Sequence, residues 1–600
     1  MACTSPGLCS AMFTRALVTL AYLVPCFCKI YENVADLPGL SYDFVIVGGG
    51  AAGNVVANRL TENPKFSVLV LEAGLSNEGV IDSIVPFFDA DLLAQPIYDW
   101  NYTTVPQPGL NGRNIAIQRA FMLGGCTSHN FMVYTRGSAE DYDRFAAVTG
   151  DPGWSWDRLL PYFFKNEKWT EPADHHDTQG QFNRTVHSTK GINSVSLAGF
   201  QWPIFSQHVI EATRELPEEW PFNLDTNSGN PLGVGWLQST IGGGKRSSSA
   251  TSYLGPQFIR RKNLHVLLHA QATKLVNPSH IGGKVAFGGV QFSQDGVLFT
   301  AKAAKEIILS AGAVGTPSIL LHSGIGDRTT LTSLGIKSLI HLPSVGRNAS
   351  DQPTFNAAQW LVNSTQTLDS IYQNTTLFNE AYGEWNRTHT GLFATQGGPT
   401  HLAWLRLDPE SFAANNFTDP SAGPNSPHFQ VIFIPLGFQA TGNGITAGII
   451  VVNPVSRGSV TINSSNPLDS PIVDFGFLQS EIDLFVIRQA VPKLLQFFKA
   501  STWKNYLIAP VLDLENLSDD ALDELIRNSA GSISHFVGTA AMSARNASYG
   551  VVDPDLLIKG AKGLRIIDAS VFPFVPSANT QAGTYVIAER GADLVKASWE

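Results

Sequence analysis

Tyr42-Asp43-Phe44-Val45-Ile46-Val47-Gly48-Gly49-Gly50-Ala51-Ala52-Gly53 opens the stretch of chain whose reading decides the fold. A short β-rich apolar run meets a glycine turn, with Gly48, Gly50 and Gly53 at the spacing G-x-G-x-x-G. A helix-compatible stretch, Asn54 to Thr61, follows and is closed by Asn63-Pro64. A second strand, Phe66 to Leu71, ends at Glu72, nineteen residues after Gly53. Strand, glycine turn, helix, strand and acid in this order predict a dinucleotide-binding βαβ unit. Gly48 permits the tight turn, and Gly50 lets a pyrophosphate approach the backbone. Gly53 lets the helix pack close to the strand, and the helix N-terminus offers free N–H groups to phosphate. Glu72 is placed to accept hydrogen bonds from ribose hydroxyls.

Working outward, Met122 to Ser138 is dense in Gly, Ser and Thr and includes Leu123-Gly124-Gly125-Cys126-Thr127-Ser128-His129-Asn130. Loops of this composition bring backbone N–H groups close to a ligand. A strand from Glu306 to Ser310 runs into Gly312-Ala313-Val314-Gly315-Thr316-Pro317, a further strand–turn–helix unit. Residues 351–450 lack clear periodicity and are rich in Asn, Thr, Pro and aromatics, which predicts long loops over a sheet. Arg457 to Ile462 reads as a strand and Ser480 to Ala500 as a helix. Gly563 to Asp568 is a strand ending in an acid, and Thr580 to Ala597 is helix-compatible. No internal repeat is present.

The chain has 600 residues, more than one hydrophobic core usually serves. Hydrophobic residues make up 44% and charged residues 15%, which excludes a charge-rich disordered chain. With 54 Gly and 34 Pro, collagen-like and low-complexity readings fall away. The net charge is −10 and no basic stripe stands out, so nucleic acid is not an expected partner. A small or neutral substrate fits the balance better.

Four of the five cysteines lie in the first 28 residues, where Arg15 precedes an apolar run from Ala16 to Cys28. The run is too short for a comfortable span, so no membrane span is expected. Residues 1–28 read as a secretory signal peptide cut near Lys29, with a membrane anchor or a wrong start as alternatives. Cleavage leaves Cys126 alone and no internal disulfide. Ten Asn-x-Ser/Thr sequons, at Asn101, Asn183, Asn348, Asn363, Asn374, Asn386, Asn416, Asn463, Asn516 and Asn546, support an extracellular, N-glycosylated protein.

These residues resemble the glucose–methanol–choline (GMC) oxidoreductases over nearly the whole mature chain. The resemblance rests on the N-terminal dinucleotide unit, the Leu123-Gly124-Gly125 loop, Gly312 to Gly326, the His535, Gly538 and Thr539 motif, and the tail from Asp568 to Tyr585. In wording the chain is most similar to fungal secreted aryl-alcohol oxidases and pyranose dehydrogenases. The resemblance implies FAD rather than NAD. It implies an α/β fold in which a Rossmann-like FAD-binding domain is interleaved with an α+β substrate-binding domain built on an antiparallel sheet. The implied division is 41–350 for the FAD-binding domain with interleaved substrate-domain segments, 351–530 mainly for the substrate domain, and 531–600 for the catalytic and FAD-binding C-terminal segment. Gly48, Gly50, Gly53, Glu72, Gly124, Gly125, His129, Asn130, Ala272, Asp568 and Thr580 are the implied cofactor residues. His535 and Asn579 are the implied catalytic pair.

Three departures from the common family pattern matter. Cys126-Thr127-Ser128-His129-Asn130 replaces a Ser-Ser-aliphatic wording and is similar to members that hold flavin covalently through this histidine. The proline that often follows the catalytic histidine is Phe536, and the second active-site histidine of aryl-alcohol oxidases is Asn579. A His/Asn pair is similar to that of choline and cholesterol oxidases. The implied reaction is oxidation of a CH–OH group, in an aromatic or allylic primary alcohol or a sugar. The hydride goes to flavin N5 and the hydroxyl proton to His535. Oxygen or a quinone is the implied electron acceptor.

Three other readings stand beside this one: a tailoring dehydrogenase of fungal secondary metabolism, a non-redox cyclase or eliminase on the same fold, and a binding protein that has lost catalysis. His535 beside Asn579 favours redox chemistry. His175-His176 lacks a matching ligand cluster and reads as a solvated loop, so no metal is expected. Phe131, Phe433, Phe438 and Phe536 are pocket candidates for which core packing is the default.

Overall fold

The computed structural model describes residues 29–438 and 441–600; the leader assigned to residues 1–28 lies outside them. Strand Ser41–Val47 lies inside a nine-stranded sheet. Its neighbours are Val68–Leu71 and Val297–Leu309, both parallel to it. Beyond Val68–Leu71 come Leu264–Leu267 and Ile30–Tyr31, also parallel. On the other side Val297–Leu309, Lys284–Gln294 and Gln271–Ile281 form an antiparallel meander. Leu564–Ile566, from the far end of the chain, pairs in parallel with Val297–Leu309. Parallel strands covered on both faces read as unbroken apolar runs, and Val68–Leu71 is buried at every position.

The first helix is Ala51–Leu60, starting three residues before the expected Asn54, because Gly50 with its extended backbone serves as N-cap. Helix Thr580–Trp599 packs along it. The two are tied by Arg59, whose Nε and Nη2 each donate to Glu589 at 2.7 Å.

The second sheet is antiparallel. Its order is Leu507–Pro510, Pro353–Val362, Gly444–Val451, Phe429–Ile434, His401–Leu405 and Gly233–Trp236, with Gly531–Ser532 on the other end of Pro353–Val362. Four of these strands come from residues 351–450, where long loops were expected. Gly444–Val451 and His401–Leu405 are buried along their whole length, so no alternation marks them. The polar residues that blurred the reading belong to connections and to helix Thr375–Thr388. Helix Glu481–Phe497 covers the face that carries Phe355, Phe433 and Ile449. The opposite face, carrying Thr354, Asn356, Ile432, Ile434 and Ile450, lines a cavity.

Among the described residues no helix is long and apolar enough to cross a membrane. Of the ten sequon asparagines, eight are exposed, and Asn183 and Asn348 are half-buried. Asn348 is held on both sides, donating to the carbonyl of Pro573 at 3.2 Å and accepting from Arg457 Nε at 3.1 Å.

A buried charge network holds Arg136. Arg136 Nη2 donates to Glu167 Oε2 at 2.5 Å. His187 donates from Nδ1 to Glu167 at 2.7 Å and from Nε2 to Asp225 at 2.8 Å, so the ring is an imidazolium. Burial opposes this charge, but the two carboxylates outweigh it and hold the His187 pKa above its usual value. A raised folded-state pKa stabilises fully below the unfolded value of about 6.5, and that stability is lost as pH rises through the folded value. His187→Ala should therefore cost about 3–5 kcal/mol, as expected when one partner leaves a buried network. Its Tm deficit should be largest in mild acid and shrink in alkali. A deficit that grows with pH contradicts this assignment.

Candidate active site

One cavity of about 1000 Å³ runs from the glycine turn to the second sheet. At its first end Gly48 has φ +103°, and a Cβ there would sit 2.4 Å from the carbonyl oxygen of Ser310. A Cβ on Gly53 would meet the carbonyl oxygen of Gly48 at 1.9 Å, and one on Gly125 would meet Gly50 Cα at 2.8 Å. The Gly48–Gly53 turn and the Gly124-Gly125 loop thus touch backbone to backbone, and Gly124 N donates to Gly49 O at 2.8 Å. Glu72 lines the cavity and accepts from Gly49 N at 2.7 Å and Gly74 N at 2.8 Å. Burial pushes its carboxyl up to about 7, against the pull of these N–H groups. Ala272 and Thr580 also line the wall. Thr580 begins a helix whose first turn has no side-chain cap. A long cleft with a glycine turn at a helix start, a buried acid and a second uncapped helix N-terminus fits FAD.

Two of the expected cofactor residues line the cavity and also hold the scaffold through their side chains. Asp568 accepts with Oδ2 from Gly312 N at 2.9 Å and Thr316 Oγ1 at 2.6 Å, and with Oδ1 from Ser570 N at 2.8 Å. Its carboxylate thus ties helix Gly312–His322 to the C-terminal segment, while the residue still borders the cavity. Asn130 donates to Gln581 Oε1 at 2.9 Å and accepts from Met132 N and Arg246 Nη1, both at 3.0 Å. It fixes the loop that carries His129. His129 lines the cavity, and burial, helped by Arg246 and Arg119, pushes its pKa down to about 3, so the ring is neutral.

At the other end His535 and Asn579 come together, with Asn579 Nδ2 3.3 Å from His535 Nε2. His535 lies on the stretch that leaves the second sheet at Gly531–Ser532 and reaches the first lobe at Gly538, whose N–H donates to Ala569 O. Ser534, just before it, has φ +63°, a strained geometry for a non-glycine that recurs at functional sites. The backbone N–H of His535 donates to Asp351 Oδ1 at 2.8 Å.

The histidine tautomer follows from its neighbours. Gln352 is fully buried and donates from Nε2 to the carbonyls of Val452 at 2.9 Å and Pro576 at 3.0 Å. Its Oε1 therefore faces His535 Nδ1, 2.6 Å away, so Nδ1 carries the proton. The lone pair is on Nε2, toward Asn579 and the cavity. Asn579 is oriented in turn. Its Oδ1 accepts from Thr135 Oγ1 at 3.1 Å and its N–H donates to the same oxygen at 2.8 Å. Its Nδ2 is left to donate. Burial, with help from Arg119, pushes the His535 pKa down to about 3. Arg119 donates from Nη2 to Ser534 O at 2.6 Å and lies 4.6 Å from the Phe536 ring centroid.

Gln352, Thr135 and Arg119 were not singled out by sequence. No glycine or histidine motif marks them, and only the three-dimensional pairing reveals their roles. Of the four aromatics, Phe433 is core, and Phe131 and Phe438 are exposed on the cavity wall. Phe536 is buried, stacked on Phe475 with centroids 4.3 Å apart, and still borders the cavity. His175 and His176 pair with Glu171 and Asp174, and no metal-ligand cluster occurs among the described residues.

Comparison with known proteins agrees with this arrangement. Residues 42–354 match the N-terminal part and residues 454–588 the C-terminal part of GMC oxidoreductases. The chain is 41% identical to dehydrogenase eriK of Hericium erinaceus over 97% of this chain and 99% of that protein. It is 40% identical to a pyranose dehydrogenase of Agaricus campestris over 95% and 96% of the two chains. A formate oxidase of Aspergillus oryzae RIB40, studied for its FAD modification, superposes with a TM-score of 0.85 at 27% identity, covering 94% of this chain and 99% of that one. The two-glycine-loop cleft, the His535–Asn579 pair and matches at both ends of the chain converge on one conclusion: this chain belongs to the GMC oxidoreductase family of FAD-dependent enzymes.

Proposed function

We propose that the protein oxidises the CH–OH group of a small alcohol, an aromatic or allylic primary alcohol or a sugar, with His535 as base. The observation that carries this reading is the tautomer set by Gln352, which leaves a neutral Nε2 lone pair 3.3 Å from the Asn579 amide. When bound, FAD supplies the hydride acceptor. His535 Nε2 takes the hydroxyl proton, and Asn579 Nδ2 donates to the same oxygen as negative charge develops on it. Arg119 adds a positive charge near His535. Ile432, Ile434 and Ile450 receive the apolar body of the substrate, and Thr354 and Asn356 offer polar contacts at its edge. Oxygen or a quinone then takes the electrons. In this reading the FAD-binding unit spans 41–350, the substrate unit 351–530 and the catalytic segment 531–600. The protein is secreted and carries glycans on exposed sequons.

Gln352→Glu tests the tautomer argument. A carboxylate facing Nδ1 stabilises the imidazolium, so the His535 pKa rises and the acid limb of flavin reduction moves to higher pH. An unmoved limb with intact FAD binding contradicts it. An anaerobic screen of alcohols and sugars, followed by reoxidation with oxygen or a quinone, identifies donor and acceptor.

His129 is, in the same reading, the covalent anchor of FAD. Its neutral ring and place on the cavity wall support this, together with the Cys126 to Asn130 wording. Acid precipitation should leave the yellow colour in the pellet, and His129→Ala should move it to the supernatant. Colour wholly in the supernatant of the unaltered protein contradicts the bond.

A further inference from the structure

The antiparallel sheet acts as a ruler along one wall of the cavity. Side chains two apart on a strand share a face and lie roughly 6.6 Å from each other. Gln352, whose amide meets His535 Nδ1, marks the first row. Thr354 and Ile450, paired across neighbouring strands, form the second. Ile432, paired with Gly448, forms the third, and Ile434, paired with Thr446, the fourth. From the row of Gln352 to the row of Ile434 the wall runs roughly 20 Å. Thr354, Ile450, Ile432 and Ile434 all line the cavity, and Leu436 continues the line beyond the strand. At the His535 end, Val133 and Ile533 also line the cavity and pack in one apolar cluster with Ile450. A Cβ on Gly448 would meet Asn356 Oδ1 at 2.3 Å and Ile432 Cγ1 at 2.8 Å, so those two side chains close over it. Polar partners are scarce here. The Thr354 hydroxyl donates to Asn356 Oδ1 at 3.2 Å. Among the described residues of this wall, Asn356 Nδ2 is then the one side-chain donor without a protein partner.

We infer that the substrate is a primary alcohol on an elongated apolar skeleton, with its CH–OH group at His535 and its far end on Ile434 and Leu436. This rests on the alcohol-oxidation reading above and narrows it to one class. A single six-membered ring covers about one row, so a benzyl alcohol leaves the outer rows wet. A pyranose fits worse. Its hydroxyls would give up water against isoleucine side chains and find one amide donor in exchange, and polar groups buried without partners are costly. A skeleton of roughly ten carbons or more reaches from the second row to the fourth. Each further methylene laid on the wall adds apolar burial and so strengthens binding. The chemistry is unchanged: the carbinol carbon loses a hydride to FAD and its oxygen a proton to His535, which leaves an aldehyde.

The test follows anaerobic flavin bleaching in the purified FAD-loaded protein with four donors: prenol, farnesol, benzyl alcohol and glucose. Prenol and farnesol share the same allylic reacting end and differ in length. The second-order rate of bleaching should be at least about tenfold higher with farnesol than with prenol, and glucose should be the slowest of the four. Ile434→Asn puts a polar group on the outer row, so the farnesol-to-prenol ratio should fall by at least about fivefold. Should that variant fail to fold, Ile434→Trp, which fills the outer row, takes its place, and the ratio should fall there too. Equal rates with prenol and farnesol, or faster bleaching by glucose or benzyl alcohol than by farnesol, overturn the inference and leave the alcohol reading standing. A ratio unmoved in a folded Ile434 variant overturns it as well. If none of the four donors bleaches a flavin that dithionite reduces, the alcohol reading itself falls, and the inference with it.

Discussion

Flavin reduction by substrate should fall by on the order of 10²–10⁴-fold in His535→Ala, the usual contribution of a positioned general base. The variant should still bind FAD, because His535 sits at the substrate end of the cavity and the glycine turn lies at the other. The pH dependence adds a second check. Burial and Arg119 push the His535 pKa down to about 3, so the base is already neutral in mild acid. The reduction rate of the unaltered protein should stay level from roughly pH 5 upward and fall only below that. A variant that is reduced at the unaltered rate across neutral pH ends the assignment.

Asn579→Leu should lose on the order of 10²–10³-fold in flavin reduction, since donors aimed at developing charge are commonly worth roughly 3–4 kcal/mol. Asn579 has no proton to exchange at neutral pH, so its part is to orient and stabilise. Its Nδ2 is the donor left over once Thr135 has engaged its Oδ1. Asn579→His should keep activity, because a neutral imidazole also donates. A purely local role predicts otherwise. Asn579 is the N-cap residue of helix Thr580–Trp599, but its side chain makes no cap hydrogen bond. If Asn579→Leu folds, holds FAD and reduces it at an unchanged rate, the catalytic role is wrong.

The βαβ unit was legible because two periods change over a few residues: an apolar strand, a glycine turn, then a helix. Its boundaries moved where Gly50 capped the helix earlier than the apolar pattern implied and where the second strand begins at Val68 rather than Phe66. The second sheet was expected from the family resemblance, but its individual strands were not legible in the pattern of residues. Strands such as Gly444–Val451 are buried on both faces and show no alternation, and their partners come from distant parts of the chain. His535 and Asn579 were found through their family wording, since a lone histidine among 14 carries little signal. Gln352 sits 183 residues from His535 in sequence, and only the folded pairing shows that its amide sets the tautomer. Asp568 and Asn130 border the cavity, and their side chains also hold the scaffold together, a part that no motif announces. Sequence motifs mark where chemistry gathers, and the hydrogen-bond geometry then divides the residues that touch the ligand from those that aim them.

The central claim is that a CH–OH donor reduces the flavin with His535 as base, and anaerobic mixing tests it most directly. The oxidised protein and His535→Ala are each mixed without oxygen with aromatic and allylic alcohols and with sugars, and the yellow band is followed. At least one donor should bleach the unaltered protein and yield one equivalent of carbonyl product per flavin. Deuterium on the carbinol carbon should slow the bleaching, and His535→Ala should be slower by on the order of 10²-fold or more. If dithionite bleaches the flavin but no alcohol or sugar does, or if His535→Ala keeps pace with the unaltered protein, the account is contradicted.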